Sequence, residues 1–344
     1  MNHITFIQEN EMKTILAKAG SRAQDNDAFQ MIEQDLPQVG ETDLRVRVGA
    51  VGMNPVDTKV RQRSDTDLVL GWDAWGIVEE CGGAVIGFKK GDAVYYAGDI
   101  TRAGTNSEYH LVDYRIAAPA PKTLSPADAA AIPLTAITAW EALFDRMGFV
   151  PEAGANAGKS LLIIGGAGGV GSMAIQLAAW AGFTVFATAS RPETADWCRQ
   201  LGAGTILNHR NDLHEELIAS GTETVDAIFC TTQLEHHWAA MAQCIRPQGR
   251  ACFIDDPENA LDITLFKAKS VSLSWEFMYT RSMFATPDMA EQGALLSTVA
   301  GLLEQGTLVT TRRETFTGLT VENIQAMHIR QESGAMVGKQ VLVL

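Results

Sequence analysis

The amino-acid sequence predicts an α/β protein in which a β-rich part precedes a doubly wound parallel sheet. Its 344 residues exceed the size of a typical single core, which predicts two domains. Short apolar segments with glycine turns are typical of the first third of the chain, whereas strand-like and helix-like segments alternate regularly after Ser160. A glycine cluster at residues 165–171 lies between the first strand and the first helix of that alternation.

The first part of the chain carries strand patterns of period two. Residues 44–48 alternate as a half-buried strand does, and residues 70–78 and 93–97 are further strand candidates. Because these short segments are separated by glycine turns, they predict a compact, barrel-like β domain. An Ala- and Leu-rich stretch at residues 126–147 follows, and Ser125 is the predicted start of its helix.

The second part alternates strands with helices of the length expected for a parallel sheet. Six strands are predicted: Leu161–Gly165, Thr184–Ser190, Thr205–Asn208, Val225–Cys230, Ala251–Asp255 and Ser270–Trp275. Four helices are predicted between them: Gly171–Ala181, Glu193–Leu201, Asp212–Ser220 and Leu234–Ile245. The tail at residues 334–343 ends in one more strand pattern. We expect that strand to return to the first part, because six strands already complete the parallel sheet.

The glycine cluster has the spacing of a dinucleotide-binding turn. Gly166, Gly168 and Gly171 supply G-x-G-x-x-G between a predicted strand and a predicted helix. The first glycine should permit a tight turn, the second should let the backbone approach a pyrophosphate, and the third should let the helix lie close to the sheet. The helix N-terminus would then hold the anion. The predicted cofactor turn comprises Gly166, Ala167, Gly168, Gly169, Val170 and Gly171.

Composition and charge exclude several classes of protein. No charged residue occurs between Lys159 and Arg191, but glycines interrupt that run, so we reject a membrane span. The formal net charge of −14 and a pI near 4.9 argue against nucleic-acid and membrane-surface partners. Residues 1–8 carry no basic region before a long apolar one, and the five cysteines are scattered. We therefore expect reduced thiols and a cytoplasmic protein.

The end of the second predicted strand favours NADPH over NADH. A carboxylate there would accept hydrogen bonds from the ribose 2′-hydroxyl and repel a 2′-phosphate. This chain has no acid at that point, and Ser190 and Arg191 can both donate to a phosphate. His209, after the third strand, could add a further contact. The alternative for Arg191 is a solvated side chain in a loop, while Glu193 fits the first turn of a helix entered through Pro192.

The chain resembles the medium-chain dehydrogenase/reductase superfamily. It is similar to the zinc-free quinone oxidoreductase branch, and within it to the bacterial subgroup of zinc-type alcohol dehydrogenase-like proteins. The segments that carry the resemblance are Asn54–Lys59, Leu70–Ala74, Pro133–Trp140, Ala167–Gly171, Ile254–Pro257 and Ser274–Met278. The resemblance covers nearly the whole chain. It implies a GroES-like catalytic domain at 1–137, a Rossmann domain at 138–281, a return to the catalytic domain at 282–344, NADPH and a homodimer.

The family name makes a zinc site worth testing residue by residue. Zinc-dependent relatives have a cysteine where this chain has Asn54 and a His-Glu pair where it has Trp72-Asp73. Their third ligand is a cysteine before the cofactor domain, yet none occurs here between Cys81 and Cys198. A catalytic zinc needs three fixed ligands around an open position. We predict no functional metal.

The resemblance also suggests which side chains line the reaction cleft. Asn54 is expected near the nicotinamide and Thr135 near the inner face of the cofactor, although a turn and helix packing are the alternatives. Asn54 and Asp57 are the candidate catalytic residues. Trp72, Asp73 and His110 are the candidate substrate-pocket residues, with core packing as the alternative for Trp72 and a hydrogen-bonded strand position for His110. The sequence identifies no general acid.

Without a Lewis acid, a conjugated carbonyl is the better hydride acceptor, because conjugation spreads the developing charge. The sequence therefore predicts NADPH-dependent hydride transfer to a small electrophile, a quinone or an α,β-unsaturated carbonyl. Two alternatives stay open. One is an alcohol or aldehyde reductase, and the other is an NADPH-binding protein without catalytic activity.

Overall fold

The structure, a computed structural model, describes residues 11–344. Residues 1–10, which include the segment that carries no targeting pattern in the sequence, lie outside the described residues. Within the described range, no helix is both long and apolar enough to cross a bilayer. The same range contains one small sheet, one mixed sheet and one parallel sheet.

The N-terminal elements form the small sheet and most of the mixed sheet. The strands are β1 (Glu11–Ala17), β2 (Phe29–Asp35), β3 (Asp43–Gly52), β4 (Leu68–Val69), β5 (Asp73–Cys81), β6 (Ala93–Tyr96), β7 (Tyr109–Asp113) and β8 (Ala117–Pro119). The helices are α1 (Pro55–Arg63), α2 (Pro126–Ala130) and α3 (Pro133–Trp140), and a π-helical turn at Glu141–Arg146 continues α3. The β-rich first part predicted from the sequence is confirmed.

Two predicted elements of this part differ most from the structure. The strand predicted at 70–78 begins at Asp73, because Gly71 has φ +89°, a left-handed conformation outside the strand region. The helix predicted from Ser125 does begin there, since the Ser125 hydroxyl accepts a hydrogen bond from the Asp128 N–H. It ends after one short segment, and Pro133 starts the next helix.

The parallel sheet follows the predicted alternation. Its strands are β9 (Ser160–Ile164), β10 (Thr184–Thr188), β11 (Thr205–Leu207), β12 (Val225–Cys230), β13 (Ile245–Phe253) and β14 (Ser272–Trp275). The helices between them are α4 (Gly169–Trp180), α5 (Pro192–Gln200), α6 (Leu213–Ala219) and α7 (Leu234–Cys244). The strand order β11-β10-β9-β12-β13-β14 is that of a six-stranded doubly wound sheet, so the predicted fold class is confirmed.

Strand β13 begins well before its predicted start. β13 was expected at Ala251 but starts at Ile245, which pairs with Val225. The pairing register then shifts, so that Arg250 is the next residue opposite β12, and Gln248 has φ +60°. A bulge of this kind interrupts the alternation of inward and outward side chains, so the sequence pattern does not indicate the first half of the strand.

The last part of the chain returns to the mixed sheet, as predicted. It contains α8 (Thr280–Met283), α9 (Glu291–Glu304), β15 (Arg312–Thr317), α10 (Val321–Glu332) and β16 (Lys339–Val343). β16 pairs antiparallel with β3 and parallel with β15. The strand is shorter than the predicted tail, because residues 334–338 do not join the ladder.

The side chains of β9 alternate between two apolar cores. Leu161 and Ile163 belong to a core that also contains residues of the β-rich part, whereas Leu162 and Ile164 pack under α6 and α7. β9 is a central strand and is buried on both faces. The glycine turn follows its last residue, so the turn lies at the carboxyl edge of the sheet, close to the β-rich part.

Candidate functional site

The glycine turn folds as a strand-to-helix turn, with one correction to the predicted roles. The positive φ, +86°, belongs to Gly165 and not to Gly166. Gly166 instead permits close packing, because a Cβ there would lie 2.9 Å from Ala187 Cβ on β10. At Gly171 a Cβ would lie 2.1 Å from the Gly165 oxygen, so the third glycine does let α4 approach the sheet.

The middle of the turn is open on the side that a ligand would approach. Gly168 caps α4, and a Cβ built on it would meet only the Gly165 oxygen, at 3.6 Å. The protein therefore does not require a glycine at 168 for its own packing. At a helix N-terminus without a side chain, a pyrophosphate can approach the backbone closely. The N–H groups there carry the partial positive charge that binds it.

The end of β10 carries the predicted 2′-phosphate residues. Ser190 is half-buried, and Arg191 is exposed at the start of α5, where its N–H and carbonyl bond the Thr194 hydroxyl. The Arg191 guanidinium donates to the Ala335 carbonyl at 3.3 Å. Glu193 is exposed and lies 4.0 Å from the Arg313 guanidinium, so its charge is partly balanced. Arg191 is thus held by one neutral acceptor, which a phosphate could replace.

A wide cleft lies beside this edge of the sheet. It has a volume of about 740 Å³ and is lined by residues that follow β11, β12 and β13. His209 lines it and is half-buried, and burial lowers the pKa of its imidazole. The carboxylates of Glu235, Asp255, Asp256 and Glu258 also line the cleft. Arg210 lines the same cleft, and Lys59 pairs with Asp255 and Asp256, so the cleft carries charges of both signs.

A buried charge cluster joins the β-rich part to the glycine turn. The Lys339 ammonium, at the start of β16, donates to the Met53 carbonyl at 2.5 Å, to Asp73 Oδ2 at 3.0 Å and to Asn54 Oδ1. The Asn54 amide donates to Asp73 Oδ2 at 2.8 Å. Asp73 Oδ1 accepts from the Leu134 N–H at 2.6 Å, so both carboxylate oxygens are bonded. An ammonium at 3% exposure requires such partners.

Thr135 and Lys339 connect this cluster to the turn. A Cβ on Gly169 would lie 3.0 Å from Lys339 Cδ and 3.1 Å from Thr135 Cγ2. The Gly338 N–H also donates to the Ala167 carbonyl at 2.9 Å. Thr135 itself bonds the Ile132 carbonyl at 2.9 Å. The structure therefore brings the predicted residues Asn54, Asp73 and Thr135 next to the glycine turn.

Lys339 is a site residue that sequence reasoning missed. A lysine is almost never fully buried without a partner, and nothing in the run Gly-Lys-Gln-Val-Leu-Val marks this one as buried. One feature of the sequence could have indicated it: Lys339 is a single basic residue at the start of an apolar strand that returns to the first part.

The candidate catalytic residues are engaged in local structure. Asp57 accepts hydrogen bonds from the Asn54 N–H at 2.6 Å and the Gly71 N–H at 3.0 Å, which fixes the start of α1. Burial raises the pKa of Asp57 to about 7. Both amide atoms of Asn54 are bonded within the charge cluster. The catalytic role of Asn54 and Asp57 stays a prediction. It requires a substrate or cofactor group to replace one of the hydrogen-bond partners that these side chains have in the protein.

Trp72 and His110 lie in the interior. Trp72 is fully buried, and its Nε1 donates to the Asp99 carbonyl at 3.1 Å. His110 bonds the Tyr96 hydroxyl and the Ala103 carbonyl, and burial lowers its pKa to about 4. The placements match the packing alternatives for both residues. Their pocket role remains untested, and neither side chain presents an exposed face.

The residues at the zinc-ligand positions do not fit a zinc ion. Within residues 11–344, no three His, Cys, Asp or Glu side chains gather closely enough to hold a metal. Asn54 and Asp73 instead bind an ammonium, that of Lys339. Because a positive charge already occupies their oxygens, a divalent cation there would meet both repulsion and missing ligands.

Comparisons with known proteins agree with this architecture. Residues 40–122 match the alcohol dehydrogenase GroES-like domain, and residues 169–294 match the zinc-binding dehydrogenase family. A zinc-type alcohol dehydrogenase-like protein of Staphylococcus aureus is 39% identical over 333 residues, covering 96% of this chain and 99% of the relative. A solved structure from Rhizobium etli, provisionally named a zinc-dependent alcohol dehydrogenase, is 45% identical with a TM-score of 0.92. It covers 97% of this chain and 98% of that one.

A more distant relative matches about half of the chain. The NADPH-dependent alkenal/one oxidoreductase of Arabidopsis thaliana chloroplasts is 37% identical over 208 residues, covering 56% of this chain and 52% of the relative. The fold, the glycine turn and the full-length relatives together identify the family. The chain belongs to the medium-chain dehydrogenase/reductase superfamily and is an oxidoreductase of that family.

Proposed function

We propose that this oxidoreductase uses NADPH to reduce α,β-unsaturated carbonyl compounds or quinones, without a catalytic zinc. The observation that carries the proposal is the Lys339 ammonium bound to Asn54 and Asp73 beside the glycine turn. These are the positions where zinc relatives hold the ion that polarises an alcohol or ketone. A substrate at such a site must delocalise its own developing charge, which conjugated carbonyls and quinones do.

The proposed cofactor is NADPH, which would supply the hydride. The open backbone at Gly168 suits its pyrophosphate, and Ser190 with Arg191 suits its 2′-phosphate. The absence of an acid at the end of β10 supports the same choice. The Arabidopsis relative is named for NADPH and for alkenals and enones, which supports both parts of the proposal.

A direct experiment separates the proposal from its alternatives. NADPH oxidation is followed with enals, enones and 1,4-quinones, and in parallel with simple aldehydes, in the presence of a metal chelator. Turnover of the conjugated acceptors supports the proposal. Turnover confined to simple aldehydes or alcohols would favour the alcohol dehydrogenase type. Tight NADPH binding without oxidation by any acceptor would favour a non-catalytic NADPH-binding protein.

The proposal includes a homodimer in the cytoplasm. β14 is the outer strand of the parallel sheet, and Trp275, Phe277 and Ile263 near it are 48%, 46% and 62% exposed. An edge strand with exposed apolar side chains is suited to pairing with a second copy. All five cysteines are free thiols, which fits a reducing compartment. Light scattering should give twice 37.1 kDa, and a mass near 37.1 kDa would contradict the dimer.

A further inference from the structure

Tyr279 carries a buried hydroxyl that no described residue satisfies. The residue lies between β14 and α8, is 1% exposed, and its Oη has no hydrogen-bond partner within residues 11–344. The buried tyrosines Tyr95 and Tyr96 differ, since their hydroxyls bond the Leu296 carbonyl and the His110 ring. An unpaired buried hydroxyl destabilises a fold, so its presence needs a reason other than packing.

Tyr279 packs against the residue that precedes Asp73 of the charge cluster. The Tyr279 ring packs edge-on against Trp72, with ring centroids 5.9 Å apart, and Trp72 immediately precedes Asp73. Burial, and then the negative charges of Asp57, Asp73 and Asp99, raise the pKa of Tyr279 well above its usual 10. The phenol therefore stays protonated and remains a hydrogen-bond donor at any physiological pH.

A surface side chain covers the tyrosine. The ring of Phe277 packs edge-on against Tyr279 at a centroid distance of 5.5 Å, and Phe277 is 46% exposed. Phe277 follows the end of β14 at the carboxyl edge of the sheet, where ligands bind in folds of this class. Tyr279 follows the same strand end four residues after Trp275, so it belongs to this edge of the sheet.

We infer that Tyr279 is a catalytic residue whose hydroxyl donates a hydrogen bond to the carbonyl oxygen of the substrate, in place of the metal used by zinc relatives. This inference rests on the proposed function. A neutral donor held in a dry site stabilises the negative charge that develops on the oxygen, and it does so without reorganisation. Because no described protein group accepts its hydrogen bond, the Tyr279 hydroxyl can donate to the substrate oxygen without first breaking a bond within the protein.

The proposed reaction needs no proton from a side chain of the protein. A hydride with its bonding pair passes from C4 of NADPH to the β-carbon of an enone, forming a C–H bond, and the nicotinamide is oxidised. The π pair of the C=C bond moves toward the carbonyl oxygen and gives an enolate, whose charge the Tyr279 hydroxyl stabilises. Water then protonates the α-carbon, and the saturated ketone leaves. Tyr279 keeps its proton throughout.

The test compares Tyr279→Phe with the matched control Tyr95→Phe. Tyr279→Phe removes a hydroxyl without a partner, so its melting temperature should equal or exceed that of the wild type. Its kcat with but-3-en-2-one should nevertheless fall on the order of 100-fold, with an unchanged Kd for NADPH. Tyr95→Phe breaks a hydrogen bond, so it should melt lower and keep its kcat.

A second measurement does not depend on turnover. Cyclohexanone is titrated into the NADP⁺ complex, and Tyr279→Phe should bind it at least about 10-fold more weakly than the wild type does. Equal kcat in the wild type and Tyr279→Phe would overturn this inference alone and leave the proposed function standing. A wild type that neither reduces the enone nor binds cyclohexanone would overturn both.

Discussion

The roles assigned to the glycines predict opposite effects for two neighbouring substitutions. Gly168→Val places its Cβ 3.6 Å from the Gly165 oxygen, which is ordinary contact, and replaces the N-cap residue of α4, so the fold should lose no more than about 1 kcal/mol. The same side chain would stand where the pyrophosphate must approach. Loss of even one charge-assisted bond of about 1.5–3 kcal/mol weakens NADPH binding roughly 10- to 150-fold.

Gly171→Ala is the matched control for this variant. Its Cβ would lie 2.1 Å from the Gly165 oxygen, so the backbone of the turn must shift even without ligand. Overpacking of this kind costs about 1–3 kcal/mol, and we expect the control to melt lower than the wild type with no cofactor present.

Thermal melts with and without NADPH separate the two effects. At a hundredfold excess over its Kd, NADPH should stabilise the wild type by about 2.7 kcal/mol. Gly168→Val should melt near the unliganded wild type and gain little from NADPH. A folded Gly168→Val protein with the full NADPH-dependent gain would refute the assignment of the pyrophosphate to this turn.

Three further predictions concern the 2′-phosphate, the metal and the response to pH. Arg191→Ala should weaken NADPH about 10-fold or more and leave NADH nearly unchanged, because its guanidinium is held by a single carbonyl; equal losses in the two Kd values would contradict this role. Protein purified without a histidine tag should contain far less than one zinc per chain and keep its activity in chelator, since Lys339 binds the oxygens that a metal would need; stoichiometric zinc whose removal stops turnover would contradict it. Burial, and then the charge of Arg61, lower the pKa of His328 to about 3, so the unfolded chain takes up a proton below pH 6.5 that the folded protein refuses. Stability should therefore fall as the pH drops from 6.5, by up to about 1.4 kcal/mol per unit from this site, and His328→Leu should flatten that slope; parallel curves for the two proteins in chemical denaturation would rule this out.

The sequence predicted the parallel sheet because its signals are local. Each strand of that sheet is a short apolar run, and each connecting helix has its own boundaries, so the alternation could be recognised without tertiary contacts. The return of the tail to the first part followed from counting six strands. β13 was misjudged at its start because a bulge after Ile245 interrupts its pattern.

The site was predicted less completely because it depends on contacts between distant segments. Asn54 and Asp73 were recognised as candidates, but their partner Lys339 comes from the far end of the chain. Burial of an ammonium depends on the oxygens around it, and no local pattern reports that. Tyr279 was not singled out for the same reason, since only the folded structure shows that its hydroxyl lacks a partner.

The central claim, zinc-free hydride transfer from NADPH to a conjugated carbonyl, has one most direct test. NADPH carrying deuterium on the transferred face of C4 is incubated with but-3-en-2-one and the chelator-treated enzyme, and the product is examined by NMR. The account predicts butan-2-one with one deuterium on the former β-carbon. Formation of but-3-en-2-ol with deuterium on its carbinol carbon, or transfer that appears only after zinc is added, would contradict it.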